Sequence, residues 1–253
     1  MAKESCRIYE SETIQQVTGS TVRPGGFTLT DRAMTICAFP AGAKLLDVGC
    51  GNGATVERLI NQYHLQVVGI DPSPVMLASG KKRNANLPIF EGTGECLNFN
   101  DSEMDGVIAE CTLSLMSDLQ LCLKQVHRVL KPQGKLIVSD IYIRSEDISV
   151  HWHDDASTCL SGAKQRSAWL KLMTDAGFKI ELWQDHTQLL KELMVHLIFT
   201  HGSMNEFWCQ MLGGCQRAQK IQNTLQQVKL GYFLLIATKE EGDSHGGHNL
   251  SHV

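Results

Sequence analysis

The sequence has no run of about 18 apolar residues, the length needed to cross a bilayer, so no membrane partner is expected. Its first ten residues, MAKESCRIYE, lack the apolar stretch of a secretory signal. Positive charge is not in excess: 27 Asp and Glu against 23 Lys and Arg give a formal net charge of −4. A nucleic-acid binder normally carries a basic face, so nucleic acid is not an expected partner. The one basic run, Lys81-Lys82-Arg83, is short and falls in a helical stretch, as a solvated face would. No internal repeat and no low-complexity linker interrupts the chain. The nine cysteines are odd in number and have no framework spacing. In 253 residues that points to reduced thiols and a cytoplasmic location.

What the chain has is ordinary globular material, 43% hydrophobic and 20% charged, enough to bury a full core. Lys44–Val48 is a short apolar run ending in glycines and reads as a buried strand. Val56, Leu59, Ile60 and Tyr63 then fall on one helical stripe. Gln66–Ile70 is a second strand, and Ser73 with Pro74 forms a helix start. Pro88–Glu91 and Gly106–Ala109 read as further strands. Asp118 opens a helix that Lys131-Pro132-Gln133-Gly134 stops, and Lys135–Ser139 is a fifth strand. This alternation predicts an α/β fold, a doubly wound and mostly parallel sheet. A helix ending at Gly177 and strands at Phe178–Trp183 and Tyr232–Thr238 complete seven strands, with a helical insertion before the last. We expect one domain over 1–239, with a cofactor half at about 27–140, a substrate or cap half at about 141–239, and a flexible tail at 240–253. The tail's His245, His248 and His252 fit a solvated end better than a metal site.

The strongest local signal is LLDVGCGNGA, Leu45 to Ala54, at a strand-to-helix turn. Open α/β sheets bind ligands at the carboxyl ends of their strands, where glycines let a ligand approach the backbone. Gly49-x-Gly51-x-x-Ala54 also satisfies the dinucleotide fingerprint, so the glycines alone leave two readings. Asp47 stands two residues before the first glycine, and no Lys or Arg occurs from Leu45 to Glu57. A pyrophosphate would be repelled there, whereas a ligand with a sulfonium and an ammonium group would be favoured. Asp71, ending the second strand, is placed to accept two ribose hydroxyls, which suits either ligand.

These segments resemble the class I S-adenosylmethionine-dependent methyltransferases over about Lys44–Asp140. Asp47–Gly53 has the form of their first motif and Val68–Asp71 that of their acidic second motif. Gly92–Leu97 resembles the segment beside the adenine, with Thr93-Gly94 in place of the commoner Asp-Ala and Glu95 in the usual place. Met104–Ala109 and His127–Asp140 resemble the fourth and fifth strand segments. The resemblance implies a Rossmann-like methyltransferase fold and S-adenosyl-L-methionine as cofactor. The residues implied to bind it are Asp47, Gly49, Cys50, Gly51, Gly53, Asp71, Pro72, Gly94, Glu95 and Glu110.

From about Ala109 to Phe178 the chain is also similar to the arsenite methyltransferases, which bind trivalent arsenic through a Cys after strand four and a Cys before a Gly-Ala pair. Those positions here are Cys111 and Cys159, implied to carry catalysis on a small, thiol-bound metalloid; no resident metal is implied. Soft thiolates suit such a centre, and its lone pair needs no general base. Glu110 stands where that family has Asn. A third sulfur could come from Cys6, Cys37, Cys209 or Cys215.

Methylation of oxygen, nitrogen or carbon is the alternative, using Glu110, Asp140, Tyr142, His151 or His153 as base. His151-Trp152-His153-Asp154-Asp155 has the form of a metal cluster but fits a polar loop better. A nicotinamide-dependent oxidoreductase and a non-catalytic cofactor-binding module are further readings. Arg23-Pro24-Gly25-Gly26, with Thr30, resembles an N-terminal lid. The expected partner is a small-molecule substrate, and the sequence leaves the oligomeric state open.

Overall fold

The computed structural model describes residues 8–10, 21–145, 158–212 and 214–240. The segment His151–Asp155, Cys6 and the tail histidines lie outside the described residues.

After α1 (Thr28–Cys37), strand and helix alternate as expected: β1 (Lys44–Val48), α2 (Ala54–Tyr63), β2 (Gln66–Asp71), α3 (Pro74–Arg83), β3 (Ile89–Glu91), β4 (Met104–Glu110), α4 (Leu119–Val129) and β5 (Leu130–Ile143). Then come β6 (Lys164–Gln165), α5 (Arg166–Asp175), β7 (Phe178–Asp185), the helices α6 (Thr187–His201), α7 (Met204–Met211) and α8 (Cys215–Gln227), and β8 (Leu230–Lys239). Local chemistry sets several boundaries. Ser73 accepts from the Met76 amide at 3.1 Å with Pro74 at the first helical position, and Asp118 accepts from the Leu121 amide at 2.9 Å.

The main sheet runs β3-β2-β1-β4-β5-β8-β7. The first five strands are parallel, and β8 is antiparallel to both neighbours. The expected seven strands gain an eighth, β6, a two-residue strand paired with β5 off the main path. The fifth strand is also longer than expected. Met104 pairs with Leu130 but Gly106 with Lys135, so the Lys131–Gly134 stretch is carried as a bulge that ends the helix without ending the strand.

Strands β1 and β4 are almost wholly buried because helices cover both faces. On β8 the period-two pattern splits the core: Tyr232, Leu234 and Ile236 face the α1–α2 side and the helical insertion, while Phe233, Leu235 and Ala237 face α4 and α5. Strand order reverses between β1 and β4, so their carboxyl ends, Val48 and Glu110, open a cleft at a topological switch point. No helix among the described residues is long and apolar enough to cross a membrane.

Candidate active site

A pocket of about 370 Å³ occupies that cleft. Of the residues singled out in the sequence, Gly49, Cys50, Gly51, Asp71, Pro72, Gly94, Glu95, Glu110 and Cys111 line it. Asp47, Gly53 and Cys159 are not in its lining.

The glycine turn is fixed from two sides. Gly49 has φ +75°, and a Cβ there would fall inside the Thr112 side chain, so only glycine lets β1 and β4 close at this end. The Asp71 carboxylate accepts the Gly51 amide on one oxygen and the Ser73 amide on the other, each at 2.8 Å. One acid thus ties the turn to the start of α3 while presenting its edge to the pocket. Gly94 replaces the commoner alanine for a steric reason, since a Cβ would stand 2.7 Å from the Cys122 sulfur. Glu95 accepts the amides of Ser117 and Asp118 at 3.0 and 3.3 Å, tying its loop to the approach of α4.

Asp47 departs from its expected role. It is 3% exposed, and burial, then the nearby Glu110 carboxylate, push its carboxyl up to about 8. In the cofactor-free protein near neutral pH it mostly holds its proton, so it is not the negative wall expected from sequence. Asp71 is the acid that faces the pocket from this side.

Glu110 ends β4 and is held by three groups. Thr30 donates to one oxygen at 2.8 Å, Thr55 to the other at 3.2 Å, and the Arg23 guanidinium lies 2.9 Å from the second. Arg23 also donates to Thr30, Thr55 and the Gly26 carbonyl. The segment around Arg23 is therefore pinned over the pocket by a buried ion pair. Arg23 was legible only as part of a glycine-rich lid, and Thr55 and Thr112 carried no sequence signal.

Cys111 follows directly, with φ +54°, a left-handed backbone that costs a non-glycine residue roughly 1–2 kcal/mol. Its amide donates to the Ser139 carbonyl at 2.7 Å, and its sulfur lies 3.4 Å from the Tyr232 hydroxyl, which donates to Ser139 Oγ at 3.1 Å. Strain at a pocket wall is a common mark of a functional position. Burial, then Asp140, then Cys159 push the Cys111 thiol well above its ordinary value, so the two sulfurs lie within electrostatic reach of each other. Burial, then Asp140, push Cys159 to about 12.

The other candidates lie elsewhere or are committed. Asp140 is fully buried, accepts Ser114 N and Oγ and Ile141 N, and is raised to about 6, first by burial. Tyr142 donates to Asp185. Cys37 sits beside Lys135, at the opposite end of β5 from the pocket. Cys209 and Cys215 lie in the helical insertion. Among the described residues no cluster of three or more His, Cys, Asp or Glu could hold a metal.

The donor set fits S-adenosylmethionine: a glycine backbone open to close approach, Asp71 for hydroxyls, and Arg23, the one Lys or Arg in the lining among the described residues, neutralised by Glu110. Comparison with known proteins agrees. The family model described as "Methyltransferase domain" matches residues 46–138. The uncharacterized methyltransferase YodH of Bacillus subtilis is 27% identical over 215 residues, which cover 76% of this chain and 90% of that protein. Among solved structures, the [4+2]-cyclase SpnF has a TM-score of 0.71 at 22% identity, covering 93% of this chain and 94% of its own. The phosphoethanolamine N-methyltransferase 2 of Haemonchus contortus, in complex with S-adenosyl-L-methionine, has a TM-score of 0.72 at 19% identity. That match covers 90% of this chain but only 56% of the other, so this chain spans about half of that enzyme. The matched domain and the fold make this an S-adenosylmethionine-dependent methyltransferase with a Rossmann-like fold. S-adenosylmethionine is its cofactor, and its acceptor is a separate question.

Proposed function

We propose that the protein methylates a small, soft acceptor held at Cys111 and Cys159, with trivalent arsenite as the first candidate. The residues 1–239 are taken as the catalytic unit, about 27–140 for the cofactor and 141–239 for the acceptor. The observation that carries this reading is a strained cysteine on the pocket wall, directly after β4, with half-buried Cys159 packed against the same core cluster.

Charge and proton bookkeeping support it. An anionic acceptor such as the phosphate of phosphoethanolamine needs a cation, and Arg23 is taken by Glu110. A protonated amine or hydroxyl acceptor needs a base. Of the candidates described, Glu110 is occupied by three donors, Asp140 accepts from Ser114 and Ile141, and Tyr142 donates to Asp185. A trivalent arsenic centre needs neither. Arsenous acid condenses with two neutral thiols, forming two As–S bonds and releasing two waters, so no charge is buried. Thiols whose pKa values are pushed up by burial suit such a neutral condensation. The cofactor, when bound, supplies an electrophilic methyl group on sulfur. Cys111 and Cys159 would hold the acceptor's lone pair toward that methyl, and the Arg23 strap would exclude water.

The test is calorimetric titration of arsenite into reduced protein with S-adenosylhomocysteine present, using wild type, Cys111→Ser, Cys159→Ser and a Cys209→Ser/Cys215→Ser control. Binding that survives in the control and disappears in the first two variants supports the proposal. Wild type that binds S-adenosylhomocysteine but not arsenite removes arsenite as acceptor.

A further inference from the structure

We propose that Phe27 is a positioning residue for cofactor binding: its ring holds the Arg23 guanidinium in the wall of the pocket, and Arg58 on α2 holds the ring. Phe27 directly precedes α1 and stands at its N-cap, where a side-chain oxygen is the stabilising choice and where it makes no side-chain cap hydrogen bond. It is only partly buried, and among the described residues it belongs to neither hydrophobic cluster of the core. Capping and core packing therefore do not account for an aromatic residue there. Two cations do. Arg23 Cζ lies over the ring 5.6 Å from its centroid, and Arg58 Cζ lies over it at 4.5 Å.

Each cation has its own carboxylate, so the ring does not stand in for a counter-ion. Arg58 donates to both oxygens of Asp31 at 2.7 Å, and the Tyr63 hydroxyl donates to the same carboxylate at 3.0 Å. Asp31 lies one turn after Phe27, and its amide donates to the Phe27 carbonyl at 2.9 Å. The start of α1 thus presents ring and carboxylate together to Arg58. Arg23 is paired with Glu110, and both line the pocket. One chain of contacts, Asp31–Arg58–Phe27–Arg23–Glu110, therefore runs from α1 and α2 to the end of β4.

Backbone chemistry gives the ring its purpose. Between Arg23 and Phe27, Gly25 and Gly26 have φ +73° and +57°, and glycine gives a backbone little preference of its own. The segment needs fixing by side chains at both ends. A guanidinium is planar, and a flat ring face sets its orientation as an aliphatic chain of similar bulk does not. Arg23 so oriented donates to Thr30 and Thr55, the two hydroxyls that also hold Glu110. Cofactor affinity then depends on the aromatic face at position 27 through Arg23, although Phe27 is not itself in the pocket lining.

The experiment measures S-adenosylhomocysteine affinity by calorimetry, with ligand-free thermal melts, on the full-length protein. The variants are Phe27→Leu, Phe27→Tyr, Arg58→Met, Phe27→Leu/Arg58→Met, and Phe27→Leu added to Arg23→Met/Glu110→Gln. Phe27→Leu keeps the bulk and loses the ring face, so binding should weaken about three- to tenfold, while Phe27→Tyr keeps the wild-type affinity. Arg58→Met should weaken binding too, and less than additively with Phe27→Leu, because the two share one contact. In the background without Arg23, Phe27→Leu should change affinity no further. The proposal is overturned if Phe27→Leu binds as tightly as wild type, whatever its melting temperature, since that is the mark of packing alone. Strict additivity of Phe27→Leu with Arg58→Met, or a loss that persists without Arg23, overturns it as well. None of these results depends on the identity of the acceptor.

Discussion

Arg23 Nη1 lies 2.9 Å from Glu110 Oε2, and the two side chains are only 9% and 3% exposed. This pair joins the segment before α1 to the residue preceding Cys111. Arg23→Met leaves Glu110 buried without its cation, which should cost about 3–5 kcal/mol. Adding Glu110→Gln should recover much of that loss, because no uncompensated charge is left. Thermal melts of both singles and the double measure the coupling. A double mutant that loses the sum of the singles would mean the pair is not coupled.

Asp71→Asn keeps the shape but removes the charge from an acid that orders the glycine turn and faces the pocket. Loss of a charge-assisted bond of about 1.5–3 kcal/mol predicts S-adenosylhomocysteine binding weaker by roughly 10- to 100-fold. Calorimetry checks it. Unchanged affinity would reassign Asp71 to the turn alone.

Asp47 gives a pH prediction. Its folded pKa, about 8, exceeds the ordinary carboxyl value, so the folded protein holds a proton that the unfolded chain gives up. Its contribution to stability is fully present below about pH 4 and is lost as pH rises to about 8. Asp47→Asn should therefore flatten the decline in cofactor-free melting temperature between pH 6 and 8.5. A cationic ligand favours the ionised acid, so wild-type cofactor affinity should rise with pH over the same interval and that of Asp47→Asn should not.

Tyr232→Phe removes the hydroxyl between Cys111 and Ser139 while keeping the buried ring. Leaving Ser139 without that donor should cost about 1–2 kcal/mol, a fall of roughly 3–6 °C in Tm for a chain of this size. Cys111 should also be alkylated at a different rate from wild type, with Cys159 unaffected. Equal Cys111 rates would mean that Tyr232 only packs.

Much of the fold was legible because its signals are local. The runs that became β1, β2 and β3, and the caps at Ser73 and Asp118, depend on residues a few positions apart. The length of β5 was not. Pro132 and Gly134 normally end an element, and only pairing of Leu130 with Met104 across the sheet keeps the strand going. Within the site, the glycine turn and Asp71 were visible as strand-end chemistry, and Cys111 and Cys159 came from resemblance. Asp47 shows the limit: its charge was not legible, because burial and the approach of Glu110 act on it only in the folded chain.

The sequence by itself determined an alternating α/β chain with a ligand turn at the end of its first strand, because periodicity, capping and glycine placement act within a few residues. Tertiary structure alone decided which side chains share the site. Arg23 meets Glu110, Thr112 fills the space over Gly49, and Tyr232, 121 residues after Cys111, reaches its sulfur. Those contacts exist because the strand order of the sheet brings distant segments to the carboxyl ends of β1 and β4, and burial there changes the charge of the groups it covers.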